Sequence, residues 1–156
     1  MVLLDPRTWL TSHDPLRVVA LRDPAVEAVG HEPRSRYVEV TYLGILGPSA
    51  VVTARHLAAR LEASPDGFAV PLAVLARQLG LGMGTGRNAP LTKTLARLAG
   101  FGLAAVGDDG YALRLAFPPL AGRHLRRLPP HLVVAHELMR NGAATEGVIT
   151  AETLRC

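Results

Sequence analysis

The residues best equipped for chemistry are cations, and they are unevenly spread. Residues 87–127 carry Arg87, Lys93, Arg97, Arg114, Arg123, Arg126 and Arg127 against only Asp108 and Asp109. The whole chain of 156 residues has a net charge of +4. One segment therefore holds the basic excess, which is the electrostatic footprint of a polyanion binder. Lys93 and Arg97 are four residues apart, so on a helix both point the same way. A guanidinium can grip a pair of acceptors bidentately, whereas an ammonium acts as a point charge on phosphate. The competing reading of such a pair is a solvated helix face.

Other chemistries find less support. Gly80, Gly82, Gly84 and Gly86 alternate, which invites a nucleotide-loop reading. The G-x-G-x-x-G pattern needs a third glycine five positions on, where Thr85, Arg87 and Ala89 stand instead. The G-x-x-x-x-G-K-[ST] pattern also fails. The glycines are read as turn residues, and no cofactor is expected. His131 and His136 are five apart, the wrong spacing for one helical face. His13, His31, His56 and His124 are scattered. No metal is expected, and the lone cysteine, Cys156, excludes a thiolate zinc site. Ser12-His13-Asp14 is a sequence neighbourhood, while catalytic triads are assembled in space. A non-enzymatic role is the expectation.

Periodicity places the cations on elements. Residues 48–62 read as a helix opened by Pro48, with Val51, Ala54, Leu57, Ala58 and Leu61 on one face. Pro65-Asp66-Gly67 ends it. Phe68-Ala69-Val70 is a short strand candidate. Pro71 opens a second helix with Leu72, Leu75, Ala76 and Leu79 inward, closed by Gly80. After the glycine turn, Asn88 reads as the cap of a third helix over about 88–99, with Leu91, Leu95 and Leu98 inward. Leu103–Val106 and Tyr111–Phe117 flank Gly107-Asp108-Asp109-Gly110, a hairpin signal. Pro129-Pro130 starts a further helix to about Arg140, ended by Asn141-Gly142, with a short terminal helix over 150–154 as the remaining option.

The N-terminal part is harder to read. Asp5-Pro6, Asp14-Pro15, Asp23-Pro24 and Glu32-Pro33 suggest turns or one-turn helices. Leu16, Val18, Val19 and Leu21 allow a short strand. Residues 35–46 allow strand or helix, and the balance goes to helix. No run is long and apolar enough to span a membrane, and Met1–Leu4 is too short for a signal peptide, so a cytoplasmic location is expected.

From residue 48 the order is helix, strand, helix, turn, helix, strand, tight loop, strand. That order, with Leu72-x-x-Leu75-Ala76-x-x-Leu79-Gly80 as its second helix, resembles the winged helix-turn-helix superfamily. The resemblance covers about 70 residues. It implies an α+β, mainly helical fold: a winged helix over 47–117, an N-terminal extension over 1–46 and a C-terminal extension over 118–156. Val70-Pro71 stands where such domains usually carry a polar helix cap. The acidic pair Asp108-Asp109 at the wing tip would repel phosphate.

In that superfamily the third helix enters the major groove. The resemblance therefore implies sequence-dependent binding of double-stranded DNA, as in a transcriptional regulator. Lys93 and Arg97 would be the central contacts, with Thr92 near the groove floor. Asn88 would sit at the helix start, Arg87 on the adjacent backbone, and Arg114 on the second wing strand. Residues 35–46 and the 130–140 helix are the candidate contacts for a homodimer. The alternative is a protein-interaction module, in which the same face binds a protein partner and no DNA.

Overall fold

The computed structural model describes residues 4–140. They form an α+β fold, about 53% helical, with eight α-helices and one four-stranded mixed sheet. In chain order the elements begin with α1 (Pro6–Thr11), β1 (Leu16–Leu21) and α2 (Pro24–Val29). A π-helical turn over Val38–Tyr42 runs into α3 (Leu43–Leu46) and then α4 (Pro48–Ala63). Next come β2 (Phe68–Val70), α5 (Leu72–Gln78) and α6 (Pro90–Gly100). The hairpin β3 (Ala104–Gly107) and β4 (Gly110–Arg114) follows, then α7 (Gly122–Leu125) and α8 (Pro130–Arg140). The expected chain turn at Asn141-Gly142 and the 150–154 helix lie outside the described residues.

Local chemistry explains most boundaries. Asp5 and Asp23 each cap a helix that opens on the following proline, so the Asp-Pro pairs are helix starts. Gly47 adopts φ +84 between α3 and α4, a conformation that L side chains rarely hold. The hairpin turns at Asp108-Asp109 with Gly107 paired to Gly110. β4 ends at Arg114, short of the expected Phe117. Phe117 instead exchanges two backbone hydrogen bonds with His31, at 2.7 and 2.8 Å.

Strand order in the sheet is β2-β1-β4-β3. β1 pairs antiparallel with β2 (Leu16 opposite Val70) and parallel with β4 (Val18 opposite Tyr111). Residues 4–46 are thus no appended arm: their strand is an inner strand that joins β2 to the hairpin. The same segment supplies the missing cap of α5. The Leu72 N–H donates to Asp14 Oδ1 at 3.0 Å, a partner 58 residues upstream.

One apolar core spans both halves. Leu57 and Leu61 of α4, Leu75 of α5, Leu91, Leu95 and Leu98 of α6, and Leu16 and Val18 of β1 are all buried in it. Trp9 and Leu10 of α1 join it, and so do Tyr37, Val38, Tyr42, Ile45 and Leu46. The 35–46 segment is helical, as expected, and Tyr37, Val38, Tyr42, Ile45 and Leu46 are buried in the core while Leu43 is exposed. Tyr111, fully buried, donates its hydroxyl to Leu95 O at 2.8 Å and locks the hairpin to α6.

α8 is held to the core by a polar contact. The Tyr37 hydroxyl lies 2.7 Å from His136 Nδ1 and accepts the Leu120 N–H at 2.9 Å. His31 stacks on the other face of Tyr37, with ring centroids 3.8 Å apart. Burial lowers the pKa of both histidines, and for His31 the neighbouring His136 adds to the effect. A folded pKa below the unfolded value of about 6.5 means that the unfolded chain binds more protons. The contribution is complete above about pH 6.5 and is lost as pH falls below it toward the folded values. Thermal melts at stepped pH are expected to show Tm falling once pH drops below about 6.5, well before the carboxylates titrate. A Tm flat from neutrality down to the carboxylate range would contradict this.

Candidate nucleic-acid interface

α6 exposes only a narrow stripe. Leu91, Thr92, Thr94, Leu95 and Leu98 are buried, and Pro90, Lys93, Arg97 and Gly100 face outward. The reason is that α6 is packed on several sides, by α1, α4, α5 and β3. Its buried arc is therefore wider than the single leucine stripe suggests. A cleft of about 550 Å³ runs beside the exposed stripe, between it, the α3–α4 junction and Arg7 at the start of α1.

The six residues expected to contact DNA have different fates. Lys93 is exposed and makes no ion pair among the described residues. Arg97 lies one turn along the same stripe, but Nε donates to Leu46 O at 2.7 Å and Nη2 to Ile45 O at 2.9 Å. Its Nε/Nη2 edge closes the carbonyl end of α3, which leaves the Nη1/Nη2 end of the guanidinium for another partner. Thr92 is 2% exposed and donates its hydroxyl to Gly86 O at 2.8 Å. That corrects its expected place at a groove floor: it ties the glycine turn to α6 from within. Asn88 is exposed but precedes the helix cap, which is Ala89, and makes no capping hydrogen bond.

Arg87 and Arg114 are engaged elsewhere. Arg87 Nη1 pairs with Asp5 and also donates to Thr8 Oγ1 at 2.6 Å, so it clamps the start of α1. The Arg87 hydrogen bond holds the Asp5 carboxyl down to about 2. Arg114 donates to Gly102 O at 2.7 Å and pairs with Asp23 at 3.1 Å, which holds the Asp23 carboxyl below its usual range. Three of the expected contacts, Arg87, Arg97 and Arg114, are thus arginines that hold the fold together through sequence-distant partners.

The basic residues after the hairpin take on more weight. Arg97 lies over the Phe101 ring, 5.4 Å from its centroid, and Phe101 packs against His124 at 5.4 Å. α7 is thereby set against the C-terminal end of α6. Arg123, Arg126 and Arg127 are exposed there and have no carboxylate partner among the described residues. Charge segregation in the sequence marked these arginines, while only the aromatic contact shows which element they adjoin.

The other constellations do not come together as sites. His13 stacks on Trp9 and its Nδ1 lies 2.6 Å from Trp9 O, whereas Asp14 turns to Leu72. Asp108 and Asp109 are exposed at the hairpin turn. No helix among the described residues is long and apolar enough to cross a membrane. Comparisons with protein-family models, curated proteins and solved structures found no match to this chain.

Proposed function

We propose that the protein binds double-stranded DNA, as a regulator-like winged-helix module, through a basic track that runs from the outer stripe of α6 onto α7. The observation that carries the reading is the set of cations without carboxylate partners, Lys93, Arg123, Arg126 and Arg127, joined by the Arg97–Phe101–His124 contacts. The order α4, β2, α5, α6, β3, β4 is that expected of a winged helix. The insertion of β1 between β2 and the hairpin is a departure from it.

The chemistry favours phosphate over bases. Of the α6 cations only Lys93 has its charged group unengaged, and lysine acts on phosphate as a point charge. Phosphate contacts fix register and supply affinity with little sequence discrimination. Preference among sequences would then come from DNA shape and from Asn88 at the start of α6. Fluorescence anisotropy with a labelled duplex tests the track. The variant Lys93→Ala/Arg126→Ala/Arg127→Ala should make the slope of log affinity against log salt shallower by about 3. An unchanged slope would remove these residues from the interface. A protein that fails to bind duplex at low salt but purifies with a stoichiometric partner on this face would support the protein-interaction alternative.

A further inference from the structure

A second cleft, of about 830 Å³, lies between α2, the 119–125 stretch and α8. Its size is that of small-molecule sites, which are concave, largely apolar and fitted with a few convergent polar groups. The apolar wall comes from Val29, Leu120, Leu125 and Met139. Val29 is 63% exposed, a large apolar side chain that the described residues leave uncovered. The polar groups are His31, His136 and Arg140, and none of the described lining residues is acidic, the nearest carboxylate being Glu137 Oε1, 3.7 Å from His136 Nε2.

The polar groups are arranged as donors. His136 is only 1% exposed although its ring borders the cleft. Its Nδ1 lies against the Tyr37 hydroxyl, whose oxygen already accepts the Leu120 N–H. In the tautomer in which the hydroxyl donates to Nδ1, Nε2 carries the imidazole proton. Nε2 lies 3.7 Å from Glu137 Oε1, too far for a hydrogen bond. In that tautomer no hydrogen bond among the described residues takes up the Nε2 proton at the cleft wall. Arg140 lies four residues on, one turn along the same helix, and has no ion-pair partner among the described residues.

We infer that this cleft binds a small monocarboxylate with an apolar body, its carboxylate held by His136 Nε2–H and the Arg140 guanidinium and its body against Val29, Leu120, Leu125 and Met139. A carboxylate satisfies both donors at once through a charge-assisted pair. An apolar chain covers the wall that Val29 exposes. The inference does not rest on the DNA reading: the two sites meet at α7 but share no residue.

The three methionines of the chain provide the readout. Met139 lines the cleft, whereas Met83 is exposed in the glycine turn. Methyl NMR of the full chain labelled at methionine should show octanoate shifting Met139 saturably at millimolar concentration and leaving Met83 in place. The uncharged 1-octanol should bind about tenfold or more weakly, as expected on loss of one charge-assisted contact. Arg140→Gln, at an exposed position that leaves the fold intact, should weaken octanoate by a similar factor. Val29→Glu should abolish binding by placing a like charge in the wall. An unmoved Met139, equal shifts at Met83, equal binding of 1-octanol, or an unaffected Arg140→Gln variant would each overturn the inference.

Discussion

Replacing Gly110 with valine should destabilise the fold by about 2–6 kcal/mol, from backbone strain of about 1–3 and overpacking of about 1–3. Gly110 adopts φ +113, where a β-branched side chain is strained whatever the space around it. Space is lacking as well, since a Cβ there would stand 2.5 Å from Arg17 O. That atom belongs to the backbone of β1, so relief requires β1 to move away from β4. The parallel register that begins at Val18 and Tyr111 would open, and β2 reaches the hairpin only through β1. With a total stability of about 5–15 kcal/mol, the variant would be marginal. Guanidinium denaturation followed by far-UV circular dichroism would measure it. Gly100→Ala is the control, because nothing lies within 4 Å of a Cβ there. It should be neutral or stabilising. A Gly110→Val variant within about 1 kcal/mol of the parent would contradict the close β1–β4 approach, because that change is ordinary for a surface substitution or mild core change.

The second large effect separates two neighbours on one helix stripe. Arg97→Ala should cost about 1.5–3 kcal/mol, the range for hydrogen bonds to a charged group. It removes both donors that meet the Ile45 and Leu46 carbonyls at the end of α3, together with the packing on Phe101. The carbonyls left behind are partly buried, so water replaces the lost donors only in part. Lys93→Ala, four residues away and exposed, should stay within about 0.5 kcal/mol of the parent. In DNA titrations the pattern inverts in its cause. Lys93→Ala should weaken duplex binding with unchanged stability, whereas any loss with Arg97→Ala should accompany a displaced α7. Equal stability of the two variants would show that Arg97 is a solvated side chain after all.

The elements that sequence reveals and those that it hides differ in the range of the forces involved. α4, α5, α6, α8 and the hairpin are legible because 3.6-residue periodicity, proline starts and the glycine-bounded turn act within a few residues. β1 is legible as a strand from Leu16 to Leu21, but not as an inner one. Its place depends on pairing with Val70 and Tyr111, far along the chain, and propensity carries no information on partners. The cap of α5 is hidden for the same reason, because Asp14 is remote from Leu72 in sequence.

The candidate site follows the same rule. Charge composition located the basic segment correctly, but charge says nothing of what a guanidinium is already bonded to. Arg87, Arg97 and Arg114 each find oxygens on distant segments, at Asp5, at Ile45 and Leu46, and at Asp23. The leucine stripe alone puts Thr92 outward, because it marks only part of the buried arc. Packing by α1 widens that arc, and α1 is a partner that no local pattern in α6 announces. Lys93, Arg123, Arg126 and Arg127 keep a local charge that no carboxylate among the described residues cancels, and the proposal rests on them.

The binding of duplex DNA as a function of salt tests the central claim most directly. With Lys93, Arg123, Arg126 and Arg127 on the backbone and Arg7 beside them, about five phosphates are neutralised. Log affinity should then fall against log salt with a slope of roughly −4 to −5, so that affinity drops by roughly 10²–10³-fold between about 50 and 200 mM salt. Absence of binding at low salt, or an affinity that stays flat over that range, would contradict the proposal that this protein uses its basic track to hold DNA.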